Sequence, residues 1–522
     1  MSGTADHATW RPRANPWLIA LVVTIAAFME VLDTTIVNVA LPHIAGSMSA
    51  SNDESTWTLT SYLVANGIVL PISGWLGRVF GRKQYFLGCI AGFTACSFLC
   101  GIAGSLWQLI LFRLLQGFFG GGLQPNQQSI ILDTFAPAQR GKAFSVVAVA
   151  TVVAPVLGPT LGGLITDNAS WRWIFFINIP IGVAMFFGVL ALVEDPPWAN
   201  RGDKHIDYIG LGLIALGLGC LQVTLDRGED EDWLSSGFIR IFATLAVLGL
   251  VFAVAWLLTA RKPVVNLRVM GDRNFAVGCL MIGLMAGVLY SSAVVIPQLA
   301  QTVLGYTSTL AGYILSPGAV VVMLAIPVVA RLMSVVQTRF LVMTGFILLG
   351  LALVYSAGLT PGIDFSTLAL MRIAQTVGLA FLFVPISTIS FATLPKEQNP
   401  DGAALNTMFR NIAGSIGIAV ATAAVTSRTQ VRSAHLAPHL TPFDQGYVDL
   451  LHHTTQTLIA QGHPAATAGG TAMGMIYQTL RTQASVLAYA DVFWYCAILA
   501  FVAAPFALLF TAAKGGRPGA AH

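Results

Sequence analysis

Fourteen runs of mostly apolar residues govern what this chain can fold into, each about long enough to cross a ~30 Å hydrocarbon core as a helix. They lie at 17–40, 57–77, 84–103, 107–131, 143–166, 173–193, 208–226, 237–259, 274–297, 309–330, 340–359, 365–390, 403–426 and 487–511. Only 10% of the 522 residues are charged and 56% are hydrophobic, whereas soluble domains carry about 25% charge. The pattern therefore predicts an all-α membrane protein. Its net charge of +4 is small, and the basic residues serve topology instead of marking a nucleic-acid surface. Arg11 and Arg13 precede the first run. That run is too long for a signal-peptide core and reads as a retained first span.

Lys and Arg concentrate on the cytoplasmic side of multi-pass proteins. With the N-terminus inside, the inner segments hold Arg11, Arg13, Arg78, Arg82, Lys83, Arg140, Lys142, Arg201, Lys204, Arg261, Lys262, Arg268, Arg273, Arg331, Arg339, Lys396, Lys514 and Arg517. The short outer loops and their flanks hold only Arg172, Arg227 and Arg240. Shifting the count by one span would scramble this alternation, so an even number of spans with both ends inside is expected. One outer segment, 427–486, is long and includes "YVDLLHHTTQTLIAQ", whose helical periodicity predicts a small external helical hairpin. His452 and His453 are adjacent and point to different faces of a helix, so they read as solvated residues and no metal site is expected. Cys89, Cys96, Cys100, Cys220, Cys279 and Cys496 all fall in apolar runs, as buried fillers and not a disulfide framework.

A weak internal repeat runs through the chain. "LFRLLQGFFGGGLQP" (111–125) resembles "LMRIAQTVGLAFLFVP" (370–385). At an offset of 259 Arg113 matches Arg372, Gln116 matches Gln375, Thr134 matches Thr393, Gln139 matches Gln398 and Gly158 matches Gly417. Pro125 and Pro385 miss this register by one residue. The repeat pairs spans eight apart, in the same orientation, as the two halves of many secondary transporters are related.

Against this apolar background the charges inside the spans stand out. An ionised side chain at mid-bilayer costs roughly 2.5–3.5 kcal/mol on insertion scales. The first span carries Glu30 and Asp33, and Arg113, Arg372 and Arg410 lie in later ones. A 1.5 Å rise per residue puts Asp33 about 24 Å along its outward-running span and Arg113 about 27 Å from the inner end of its own. The two are level and can pair if their helices are neighbours. Glu30, three residues before Asp33, shares its face. An acid beside an arginine, partly desolvated, changes its proton affinity as access alternates between sides, which a proton-coupled cycle requires; a fixed ion pair joining two helices is the alternative. Asn38, Gln116, Tyr290, Gln298, Gln375 and Asn411 are candidate cavity-facing, substrate-binding groups, or satisfied interhelical hydrogen bonds. Arg410, near the inner end of its span, is expected to snorkel to the cytoplasmic surface.

Two motifs carry conformational meaning. "GWLGRVFGRK" (74–83) fills a short inner loop, its glycines permitting a tight turn and Arg82 and Lys83 anchoring it to the cytoplasmic face. Through Gly74, Leu76, Gly81, Arg82 and Lys83 it resembles the loop pattern G-x-L-a-D-r-x-G-r-k of the major facilitator superfamily, with Arg78 where that pattern has aspartate, so a static basic anchor is the simpler reading. "APVLGPTLGG" (154–163) repeats small residues every four positions at Ala154, Gly158 and Gly162, a face that admits another helix closely; Pro155 and Pro159 bend it. With Gly163 it resembles the antiporter signature g-x-x-x-G-P-x-x-G-G, and a packing seam alone is the alternative. "LDTTIVNVALP" resembles the superfamily's first-span pattern, and "WRWIFFINIPIG", "IDYIGLGL", "LDRGEDEDW" and "IPQLAQTVLGY" look like fourteen-span drug:proton antiporters.

The resemblance covers nearly the whole chain and comes closest to EmrB-type multidrug exporters. It implies a major facilitator fold with two six-helix halves, 1–193 and 263–522, two linker spans within 194–262, both termini cytoplasmic, and an external loop at 427–486. It implies export of amphipathic or hydrophobic toxic compounds coupled to protons, no cofactor, and a multi-pass place in the inner membrane. Asp33 and Arg113 match the antiporter's acid and arginine, while Glu30 lies outside its pattern, open to being a second proton site, a cation-substrate anchor, or neither. It also implies a periplasmic adaptor (EmrA-like) and an outer-membrane channel (TolC-like). A proton-coupled importer is a close variant. An intramembrane lipid enzyme lacks HExxH and GxSxG, "AGSIG" (413–417) reading as packing, and ATP-driven pumping lacks its phosphate loop.

Overall fold

The computed structural model describes residues 12–197, 206–360 and 362–511. Arg11, Arg201, Lys204, Lys514 and Arg517 of the basic-residue pattern lie outside the described residues. The first six spans are α1 (Pro16–Met48), α2 (Asn52–Phe80), α3 (Arg82–Gly101), α4 (Leu106–Gly120) continued by α5 (Leu123–Thr134), α6 (Pro137–Asn168), and α7 (Trp173–Phe176) continued by α8 (Asn178–Leu192). Next come α9 (Tyr208–Arg227) and α10 (Gly237–Thr259). The chain goes on through α11 (Arg273–Thr302), α12 (Ser308–Leu332), α13 (Thr338–Ser356), α14 (Phe365–Ser390), α15 (Asn399–Leu436), α16 (Gln445–Ala460) and α17 (Ala465–Phe506). Short 3-10 turns join some of them, and no strand occurs among the described residues.

Thirteen of these helices and linked pairs are long and apolar enough to cross a membrane, and α6, bent by 42° between Pro155 and Leu157, makes the fourteenth. The bend has a chemical cause: Pro155 and Pro159 remove backbone donors and crowd the carbonyl one turn back. Local chemistry also sets the helix ends. Ser51 and Glu54 form a reciprocal capping box at the start of α2, and Asp272 accepts from the Phe275 amide (2.8 Å) at the start of α11, each satisfying amides left free by the first turn.

The packing repeats in the sense that the sequence repeat predicts. Helix α1 packs on α6 as α11 packs on α15, and α2 on α4 as α12 on α14. Likewise α3 packs on α4 as α13 does on α14, and on α8 as α13 does on α17. The two six-helix halves meet through a reciprocal pair of contacts, α2 against α15 and α6 against α12. Helices α9 and α10 pair with each other, and α9 lies on α2. Gly158 and Gly417, 259 residues apart, each enable a close helix approach at equivalent places in the two halves. A Cβ on Gly158 would stand 2.0 Å from the Thr35 hydroxyl of α1, and one on Gly417 would stand 2.5 Å from the Gly287 carbonyl of α11.

The outer segment differs from a simple loop. Helices α15 (38 residues) and α17 (42 residues) are about 57 and 63 Å long, roughly twice a hydrocarbon core. Most of 427–486 is therefore continued span helix. Helix α16 turns back on α17 and buries Leu458 against Ala468 and Ala472 in a small cluster of its own. Arg428 and Arg432 of α15 both donate to Asp491 of α17 (2.8 and 2.6–3.0 Å) and tie the two together.

Candidate functional site

Asp33 is fully buried in α1, and the first half is built around it. Its Oδ2 accepts from Arg113 Nη1 of α4 at 2.5 Å. Its Oδ1 accepts from Gln116 (3.1 Å) and from Asn178 of α8 (2.7 Å). Arg113 in turn donates through Nε to the Thr58 carbonyl (3.2 Å) and through Nη1 to Gln116 (2.8 Å). Its guanidinium lies 4.2 Å from the Tyr62 ring centroid and 5.6 Å from that of Phe175. Charge-assisted bonds and two aromatic faces together offset the desolvation of this pair.

Glu30 lies one turn earlier on the same face and is 3% exposed. Its Oε1 accepts from the Tyr62 hydroxyl (3.2 Å) and Asn66 (3.0 Å), and its Oε2 accepts from the Gln124 side-chain amide of α5. Tyr62 thus touches both acids' networks, its hydroxyl on Glu30 and its ring under Arg113. The Gln124 carbonyl accepts from Arg410 of α15. This corrects the expectation for Arg410: it does not snorkel, but is 5% exposed, reaching inward across the interface of the halves with its guanidinium 5.9 Å from the Phe383 ring centroid.

The other sequence candidates are dispersed. Gln116 lies inside the Asp33 network. Gln375 is buried in the second half, donating to Ser356 (2.8 Å) and 3.4 Å from Arg372. Asn38 is exposed, and Gln298 and Asn411 are half-buried. Tyr290 is half-buried and stands within electrostatic reach of Arg410 and Glu30. Tyr62, Asn66, Gln124 and Asn178 escaped the sequence reading. Tyr62 and Asn66, four apart on one face of an apolar span, were the available signal.

The repeat breaks at one informative place. Ser292 stands 259 residues after Asp33 and accepts from Arg372 at 2.8 Å, as Asp33 does from Arg113. Arg372 is fully buried, and its Nε and Nη2 find no hydrogen-bond partner among the described residues. The second half keeps the arginine and glutamine but has serine in place of the acid.

A family model for the Major Facilitator Superfamily matches residues 23–418. The chain belongs to that superfamily. It is 35% identical to "Multidrug export protein EmrB" of Escherichia coli K12, over 97% of this chain and 98% of that one. It is 34% identical to "Fatty acid resistance protein FarB" of Neisseria gonorrhoeae, over 96% and 97%. The human organic anion transporter MFSD10 shares its fold, with a TM-score of 0.56 at 14% identity, covering 94% of this chain and all of that one.

As a superfamily member the chain departs from the pattern at its inner loop, and the structure corrects the anchor reading. Arg78 pairs across the halves with Asp401 in the first turn of α15. Arg82 is buried on Asp133 instead of lying at the surface. Lys83 donates its amide to Asp195 (2.9 Å) and its ammonium to the Leu190 carbonyl (2.7 Å). Gly81 takes φ +88°, a left-handed turn, and a Cβ on Gly74 would meet the Pro400 carbonyl at 2.9 Å. Arg140 joins the halves here too, donating to the Phe391 carbonyl (3.3 Å). At this end the two halves are closed on each other. At the Gly163 face of α6, Thr309 of α12 comes within 3.2 Å of where a Cβ would stand.

Proposed function

We propose that this chain is a proton-driven antiporter that exports amphipathic or hydrophobic toxic compounds from the cytoplasm or inner leaflet by alternating access. The observation that carries the reading is the buried Asp33–Arg113 pair, one turn from a second buried acid, in a chain alike over nearly its full length to a protein named for multidrug export. We assign proton coupling to Asp33 and Arg113, with Glu30 as a second proton site. Of the polar candidates, we take Tyr290, within electrostatic reach of Glu30 and Arg410, as the substrate-facing one. The relative named for fatty-acid resistance widens the substrate class to long-chain amphiphiles.

The Lys and Arg pattern supports placing the Arg82 end in the cytoplasm, and the halves are then closed on the cytoplasmic side. We take 1–193 and 263–522 as the two moving units and the two linker spans within 194–262 as their connection. In a cell with two membranes the inner one is the proposed location, with the outward hairpin of α16 and α17 meeting an adaptor that leads to an outer channel. Inverted vesicles with an acidified lumen test the central claim. The wild type should accumulate ethidium, and Asp33→Asn, present at the same level, should lose roughly tenfold or more of the rate. Full uptake by Asp33→Asn would remove the coupling role from Asp33.

A further inference from the structure

We propose that Gln124 is a positioning residue that reports the proton on Glu30 to the other half of the molecule, by rotating its side-chain amide. The idea rests on the proposed proton role of Glu30, and its test separates the two. Arginine only donates hydrogen bonds and an ionised carboxylate only accepts them. An amide held between the two therefore has one orientation: its carbonyl faces Arg410 and its NH2 faces Glu30, as observed.

Now let a proton arrive. Glu30 Oε1 already accepts two hydrogen bonds, from Tyr62 and Asn66, whereas Oε2 accepts only the one from Gln124, so the proton is placed on Oε2, on the side of Gln124. The acid O–H then faces the amide N–H, donor against donor. Half a turn of the amide lets its carbonyl accept the acid proton. The same half turn points the NH2 at the Arg410 guanidinium, again donor against donor, and the bond between the halves is lost. Once Glu30 is neutral, Oε2 no longer requires the amide NH2, and an amide turned to accept the acid proton gives up its bond to Arg410.

Among the charged and titratable groups near Glu30, Arg410 also acts on it directly through its charge, and Gln124 adds the hydrogen-bonded connection. Tyr62, Asp33 and Arg113 belong to its own half. Tyr290 and Arg410 come from the other. Toward the closed end, the next contacts between α5 and α15 join Gln128 with Asn406 (3.3 Å) and Thr407 (3.2 Å). Losing the Gln124 bond frees the deep end of that row. Ionised Glu30 holds the Arg82 end shut; protonated Glu30 releases it. That is the sense an exporter driven by inward proton flow requires.

The experiment measures the distance between spin labels at Gln84→Cys and Glu397→Cys, both exposed at the closed end, with the half-buried Cys496 replaced by alanine. In the wild type the distance should lengthen from mildly alkaline to mildly acidic buffer. Glu30→Gln, whose NH2 imitates the acid O–H, should give the long distance in both buffers. Gln124→Met and Gln124→Leu should do the same, and adding Glu30→Gln to either should change nothing further. A shift of wild-type size surviving in Gln124→Met or Gln124→Leu overturns the proposal, as does a wild type indifferent to pH. The readout needs no transported compound. Failure of ethidium uptake alongside an intact, Gln124-dependent shift therefore rejects export and leaves the amide switch standing.

Discussion

At the scale of single residues, the two acids of α1 differ in what surrounds them. Asp33 is enclosed by donors from its own half, whereas Glu30 touches the other half through one glutamine. Their shared neighbour Tyr62 supplies a hydroxyl to one and a ring to the other's arginine. The pairing of Asp33 with Arg113 was legible in the sequence because depth along a helix follows from residue count alone. The surroundings of Glu30 were not, because Gln124 and Arg410 come from spans whose adjacency no local pattern encodes. Arg372 offers a direct test of the broken repeat. A buried guanidinium without a counter-charge is costly, and loss of one partner from a buried pair costs about 3–5 kcal/mol. Ser292→Asp should return part of this, roughly 1–3 kcal/mol, seen as a raised melting temperature of the purified protein. An unchanged or lowered value would mean that Arg372 already has its stabilising surroundings.

The elements show where small side chains matter. At Gly158 the nearest atom is the Thr35 hydroxyl, which rotation can move away, although Thr35 Cβ and its carbonyl carbon stay at 2.6 and 3.0 Å; at Gly417 all three nearest atoms are Gly287 backbone, within 2.9 Å. Gly417→Ala should therefore destabilise more than Gly158→Ala, by about 1–3 kcal/mol of overpacking, measured as the temperature at which each variant aggregates in detergent. Equal effects would argue that α1 is held as rigidly as α11. The outward helices give a second prediction. Helix α16 packs through a cluster separate from the main core, so replacing 445–460 by a short flexible linker should leave ethidium uptake into inverted vesicles near wild type. In intact cells with two membranes the same variant should lose toxin resistance if the hairpin meets an adaptor. Resistance at wild-type level would remove that docking role. The hairpin was legible as helical periodicity, but not the extension of α15 and α17 well past the bilayer, since a polar helix and a polar loop differ little in composition.

At the scale of the whole molecule, the contact between Arg78 and Asp401 holds the two halves at the closed end, with the loop pattern's usual charge reversed. Arg78→Asp alone and Asp401→Arg alone should each set two like charges against each other at the closed end and slow transport about tenfold, a change of about 1.4 kcal/mol. The double reversal should restore much of it. No recovery in the double variant would assign both residues to other contacts. Span number, the sidedness expected from loop charge, the repeat and the level of Asp33 against Arg113 are all read from the linear sequence. They depend on hydrophobic length, loop charge and a fixed rise per residue, each a property of the chain in order. Only the tertiary structure decided that Arg410 turns inward, that Arg78 and Arg82 find acids, and that Gln124 links Glu30 to the second half. Those facts depend on which spans face each other across the interface, and that choice is made by packing over hundreds of residues of separation.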